Sequence, residues 1–328
     1  MLADSRGFLE ALIDDGRPLI SLTGLCLGLS GAFALFQSAT GQFLPHDTAF
    51  LQMLPQDLCN INECRIVHFM FHDRVSFGGS IMAIGVVYLW LAEFPLKAGE
   101  AWAWWTLLIS GVAGFGSFLT YLGYGYLDIW HGVATAALLP CFVAGLWLTR
   151  QRVIAMTASR GEDASWRSLL RVGGETPWRS SAGVGRVCLL IAATGMIGAG
   201  FTIQTIGMTE VFVKTDLAFM DLSREQLNSI NPRLIPLIAH DRAGFGGGVA
   251  TAGLLLFACV WCGRPSRSLW QGMLLGGIAG WGTGVGIHPV IGYTDAGHLL
   301  PAVAGAVLFF LGLALTRSSM YGVTHGDN

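Results

Sequence analysis

Charged residues are what this chain has least of. Asp, Glu, Lys and Arg supply 12 % of its 328 positions, about half the share usual in soluble domains. The two signs nearly cancel, to a formal net charge of −2. No basic patch with interleaved aromatics occurs, which excludes nucleic acid as a partner. Common signatures of nucleotide and hydrolytic chemistry are missing too: there is no phosphate-binding Gly-rich loop ending in Lys-Ser/Thr, no His-Glu-x-x-His and no Gly-x-Ser-x-Gly. Without a Cys-x-x-Cys-His, any haem would be held non-covalently. The seven cysteines form no metal framework. Cys259 and Cys262 make an isolated pair at the end of an apolar run and read as buried free thiols. Cys59 and Cys64 lie in a more polar segment and could pair if that side of the membrane is oxidising.

What fills the chain instead is apolar: 53 % of its residues, with a mean hydropathy of +0.57. Eight runs come near the roughly 20 residues that cross a bilayer. They are Pro18–Ala39, Ile66–Ala92, Ala101–Leu122, Asp128–Thr149, Val184–Ile206, Leu234–Val260, Ser268–Ile287 and Ala296–Thr316. A cytoplasmic N-terminus puts thirteen Lys and Arg on inner segments and four on outer ones, Arg65, Lys214, Arg224 and Arg233. This is the positive-inside bias, and it places both termini in the cytoplasm. Trp90, Trp102, Trp104, Trp105, Trp147, Trp261 and Trp270 gather at the predicted inner boundary, as an aromatic belt does. The first run has an internal counterpart, Val184–Ile206, so it reads as a retained helix and not as a cleaved signal.

The chain also repeats itself. His72-Asp73-Arg74-Val75-Ser76-Phe77-Gly78-Gly79 returns as His240-Asp241-Arg242-Ala243-Gly244-Phe245-Gly246-Gly247, 168 residues on. Gly125-Tyr126-Leu127-Asp128-Ile129-Trp130-His131 returns as Gly292-Tyr293-Thr294-Asp295-Ala296-Gly297-His298, with the histidines 167 apart. Phe43, Asp47, Ala49 and Phe50 align with Phe212, Asp216, Ala218 and Phe219. Four spans per copy give both copies one orientation. The expected fold is an all-α integral membrane protein with eight transmembrane helices as two tandem, parallel four-helix repeats. The first repeat covers residues 1–149, a cytoplasmic linker 150–183, and the second repeat with a short C-terminal tail 184–328. A short interfacial helix is expected in the linker around Trp166–Arg171.

Ionisable residues inside membrane spans mark function by default. His72 and His131 fall on the second and fourth spans of the first copy, His240 and His298 on those of the second, all toward the outer side. Two histidines from facing helices suit a cofactor in a four-helix bundle, so the expected pairs are His72 with His131 and His240 with His298. A b-type haem would take them as axial ligands, with Arg74 and Arg242 balancing the propionates. A transition metal ion would take a mixed nitrogen and oxygen set drawn from His72, Asp73, Asp128, His131, His240, Asp241, Asp295 and His298. The Asp-x-x-His spacing puts Asp128 with His131, and Asp295 with His298, on one helix face. Plainer roles stand beside these: Asp128 and Asp295 as N-caps, and the Asp-Arg pairs as ion pairs that fasten helices. His68, aligned with Pro236, and His288, aligned with Tyr121, lack symmetric partners and read as edge histidines, as do His46 and His325.

The paired His-Asp-Arg-x-x-Phe-Gly-Gly segments, with Asn231-Pro232-Arg233-Leu234-Ile235-Pro236 ahead of the second, resemble those of uncharacterised polytopic bacterial membrane proteins. The resemblance implies a multi-pass protein of the bacterial inner membrane and carries no activity with it. The leading functional expectation is a redox-cofactor or metal site near the outer face of each repeat, in contact with the bilayer and with a membrane redox or complex partner. Two sites on one side would not form a conduit across the membrane. The alternatives are a small-solute or proton-coupled transporter, and an accessory scaffold working through the outer segments around Asp47 and Asp216.

Overall fold

The computed structural model describes residues 13–119, 125–126, 128–174 and 176–322. All the elements among them are helices. Long apolar runs form helices because hydrocarbon offers the backbone no hydrogen-bond partners outside its own segment. They are α1 (Arg17–Ala39), α2 (Pro45–Leu51), α3 (Pro55–Asn62), α4 (Arg65–Glu93), α5 (Ala101–Ser117), α6 (Ile129–Ser159), α7 (Ser181–Met208), α8 (Lys214–Met220), α9 (Arg224–Ile230), α10 (Leu234–Cys262), α11 (Arg267–Ile291) and α12 (Ala296–Tyr321). Side-chain caps set several starts. Asp128, Ser180, Ser223, Ser266 and Asp295 each accept from a backbone N–H of the first turn, and such caps are worth about 1 kcal/mol.

Seven of these helices, α1, α4, α6, α7, α10, α11 and α12, are long and apolar enough to cross a membrane. The eighth expected span, Ala101–Leu122, is the exception. Its helix α5 has 17 residues, about 25 Å at 1.5 Å per residue, against a hydrocarbon thickness of about 30 Å. Residues 120–122 lie outside those described, as do Tyr121, Arg6 and His325. Helix α6 continues past the expected end of its span at Thr149 to Ser159, and the segment around Trp166 forms a short 3-10 helix, Trp166–Leu170, where an interfacial helix was expected.

Packing departs from two side-by-side bundles. Helices α4 and α10 are the most buried and touch each other at the centre. On α4 lies α1, and on α10 lies α7, drawn close by glycines: a Cβ on Gly31 would stand 2.3 Å from the Gly78 carbonyl oxygen. Each third helix then crosses over. Helix α11 packs on α4, and α5 packs on α10, while α4 and α5 meet hardly beyond their connecting turn. Gly79 of α4 seats Ala279 and Thr283 of α11, and Gly247 of α10 seats Ser117 of α5. The halves are thus interleaved, and no four-helix unit closes on itself.

The short helices cover one end. Phe43, Leu51, Leu58, Phe212, Met220 and Leu227 are buried there against Phe69, Leu237 and Ile238. Asn62 donates to the Met220 carbonyl at 2.9 Å and Asn231 to that of Leu51 at 2.7 Å, tying the two covers together. Cys59 and Cys64 are joined in a disulfide beside them. The opposite end holds the tryptophans, with Arg150 4.5 Å from the Trp104 ring centre. Cys259 and Cys262 are buried and free near it.

Candidate functional site

Consecutive helical residues point about 100° apart, so His-Asp-Arg on α4 and on α10 sends three polar groups in three directions. The arginines reach the covered end. Arg74 donates from Nε to Asp241 Oδ2 and from Nη1 to Asp47 Oδ2, both at 2.7 Å. Arg242 donates to Asp216 and to the Val211 carbonyl (2.9 Å), with Asp73 Oδ2 4.0 Å from its Nε. Each guanidinium therefore links an acid of its own half to one of the other. Tyr126 donates to Asp47, and Tyr293 donates to Asp216 Oδ1 at 2.8 Å. Burial pushes the Asp47 carboxyl up, but Arg74, the Tyr126 hydroxyl and His46 outweigh it and hold the group below its ordinary range. Burial, with Asp47 beside Tyr126 and Asp216 beside Tyr293, raises both phenols, so they stay donors.

The histidines converge in two clusters, each drawn from both halves. In the first, His72 of α4 meets His288 of α11 and His298 of α12, with one ligand atom of each within 4.8 Å of the others. His72 Nδ1 lies 2.9 Å from Asp73 Oδ1. A carboxylate only accepts, so Nδ1 is the donor, and Nε2 is the nitrogen that offers a lone pair in the neutral ring. His298 Nδ1 lies 3.1 Å from the Tyr293 oxygen, whose own proton goes to Asp216. That relay makes His298 Nδ1 the donor, so Nε2 is the nitrogen that offers a lone pair in the neutral ring. His72 Nε2 and His288 Nε2 are 3.1 Å apart.

In the second cluster, Asp128 and His131 at the head of α6 meet His240 of α10. His131 Nδ1 stands 3.1 Å from Asp128 Oδ2 and 3.3 Å from His240 Nε2. Asp128 Oδ1 meanwhile caps α6 through Trp130 N and His131 N, and lies 3.1 Å from His46 Nε2. Capping and ligand geometry are compatible because they use different oxygens.

The clusters correct the expected pairing. The groups that reach ligand distance are His72 with His298, and His131 with His240; the within-half pairs His72–His131 and His240–His298 form neither cluster. Asp73 orients His72, and Asp241 accepts from Arg74 while its Oδ1 stays 3.8 Å from His240 Nδ1. Asp295 caps α12 at the His298 N–H, is exposed, and joins neither cluster. Arg74 and Arg242 hold carboxylates rather than stand free for propionates. His288, read from the sequence as an edge residue, is 3 % exposed and central. A histidine directly at the end of the expected span Ser268–Ile287 was itself the available signal. Tyr126 and Tyr293 sat within the repeated Gly-Tyr-x-Asp segment without a role until the acids of the covering helices were placed beside them.

The first cluster forms one end of a cavity of about 720 Å³ walled by α4, α7, α10, α11 and α12. The chain is thus a helical protein with apolar, membrane-length helices and two His/Asp groups able to hold a metal ion. Compared with models of protein families, with curated proteins and with solved structures, it matches none.

Proposed function

We propose that this is a multi-pass metalloprotein of the bacterial inner membrane, with one transition metal ion at His72, His288 and His298 and a second at Asp128, His131 and His240. The observation that carries the reading is the orientation of the first cluster. Asp73 and the Tyr293–Asp216 relay each tie one nitrogen of His72 and of His298, the arrangement that fixes metal-binding imidazoles, and both rings meet His288 with one ligand atom of each within 4.8 Å of the others. Charge favours it too. Asp47, Asp73, Asp216 and Asp241 share two guanidiniums, Arg74 and Arg242, with only imidazoles beside them as further basic groups among the described residues, and buried carboxylates in excess are costly unless cations accompany them. Imidazoles suit zinc, copper, iron or nickel, and the carboxylate of the second cluster widens that choice toward harder ions.

Spacing favours an ion over haem. Axial imidazoles stand on opposite faces of a porphyrin, about 4 Å apart at a metal–nitrogen distance near 2 Å. The 3.1 Å between His72 Nε2 and His288 Nε2 is shorter than that and would suit two ligands of a single ion. Three protein ligands beside a cavity also match metal sites that keep a position open for substrate. The positive-inside bias and the Cys59–Cys64 disulfide both support placing the clusters near the oxidising, outer face.

Metal analysis of the detergent-purified chain tests this. The expected result is up to two ions per chain, with His72→Ala/His288→Ala losing one and His131→Ala/His240→Ala the other. Metal content unchanged in the fourfold variant would overturn the proposal. A Soret band that sharpens its companion bands on dithionite reduction would replace the ion with haem.

A further inference from the structure

The cavity beside the first cluster is larger and more elongated than a metal ion needs. Its lining runs from His72 to Val87 on α4 and from His288 to Met273 on α11, in each case about 22 Å at 1.5 Å per residue. That is most of the hydrocarbon thickness. Polar groups concentrate at one end, where His72, His288 and His298 meet Arg242. Ser80 and Thr202, further along, satisfy their hydroxyls on carbonyls of their own helices. Ser76 does not. The residue lines the cavity one turn from His72, and its buried Oγ has no hydrogen-bond partner. A buried hydroxyl left unpaired costs about 1–3 kcal/mol, so this one points to an occupant with an oxygen or nitrogen to offer.

The opening lies along exposed faces of two membrane-length helices, α7 and α12. Helices α7 and α12 are in close contact at Gly185 and Gly312. Toward the cluster the cavity comes between them, and Gly195, Thr202, Pro301 and Ala304 are both exposed and cavity-lining. Phe201 and Leu300, at least half exposed, flank that mouth as membrane-facing side chains. Side chains added at Gly195 or Gly284 would meet only open space. Arg242 is the only Lys or Arg among the lining residues, and Asp216 already holds it. Among the described lining residues no other guanidinium or ammonium is left for a phosphate head group.

We propose that the cavity binds a single-chain, oxygen-headed lipid drawn sideways from the bilayer. Its head sits at Ser76 Oγ beside His72 and His288, and its chain lies along Gly284, Gly280 and Gly276. Contact between head and metal rests on the metal centre proposed above; the seat of the chain does not.

Stearic acid brominated at mid-chain is the probe, because bromine quenches tryptophan on contact. Trp281 lines the cavity seven residues from His288, about 10 Å along the helix. The difference between the protein and its Trp281→Phe variant isolates that signal. The expected result is saturable quenching of Trp281, abolished in Gly284→Leu and, should that variant fold poorly, in Gly195→Phe. Ser76→Ala should weaken binding about fivefold, the equivalent of one hydrogen bond of ~1 kcal/mol. Displacement by stearyl alcohol or by a short-tailed ubiquinol supports the site and tells which oxygen head it prefers. Quenching that never saturates, survives both glycine variants, or yields only to diacyl phosphatidylglycerol overturns the proposal. Repeating the titration after chelation separates the two readings. Saturable binding by a chain that holds no metal leaves the lipid site standing without the metal centre, and a metal-loaded chain with no saturable binding does the reverse.

Discussion

Tyr293 does its work through a single oxygen. It accepts from His298 and donates to Asp216, so Tyr293→Phe should leave packing intact but free the His298 ring to turn. Loss of such an orienting partner typically costs 10–100-fold in metal affinity, and a zinc titration of the first cluster would read it; unchanged affinity would remove Tyr293 from the site. Asp47 governs a different property. Its carboxyl titrates below the unfolded value of about 3.9, held there by Arg74, Tyr126 and His46 against burial. A depressed folded value stabilises above the unfolded one, and that stability is lost as pH falls through the folded value. The unfolding midpoint in detergent should therefore drop below about pH 4. Asp47→Asn should show a shallower drop there, after losing some 3–5 kcal/mol at neutral pH by breaking a buried pair. Asp128 and Asp295 show what a motif leaves unsaid. Both cap a helix in the same local sequence, yet only Asp128 gains a histidine from another helix.

At the level of helices, the exchange of α5 and α11 rests on two glycines. A methyl group at Gly79 would lie 1.8 Å from Thr283 Oγ1 and 2.6 Å from the Ala279 carbonyl oxygen. Gly79→Ala should thus cost about 1–3 kcal/mol of stability and loosen the first cluster, since Gly79 lies two turns from His72 on the same face. Gly282→Ala, on the same helix as Ala279 but facing open space, should leave the unfolding midpoint unchanged or slightly higher. Equal effects from both would mean that α4 and α11 do not pack as described. Seven of the eight expected spans were legible in the sequence because hydropathy is local, and so were the His-Asp-Arg segments. Partner choice was not. Packing α4 on α5 or on α11 satisfies hydropathy equally, and the decision lies in how several glycine faces fit together. Treating the two halves as equivalent then hid His288, because the aligned position is Tyr121.

For the whole molecule, interleaving means that neither half holds a complete site. A protease site inserted after Gly161, which is exposed, offers a direct check. After cleavage the two fragments should elute together in detergent and retain metal at both clusters, whereas fragments that separate under mild conditions would rule out the exchange. The same arrangement imposes an order on biosynthesis. His72 and His288 are 216 residues apart, so at 5–20 residues per second His72 waits about 10–40 s for its partner. Arg74 waits nearly as long for Asp241, 167 residues on, but Asp47 lies only 27 residues before it. Arg242 likewise has Asp216 26 residues behind it. Each guanidinium is therefore synthesised after an acid that can accompany it into the bilayer. Asp47 and Asp216 chaperone those charges from within the chain until the last helices arrive.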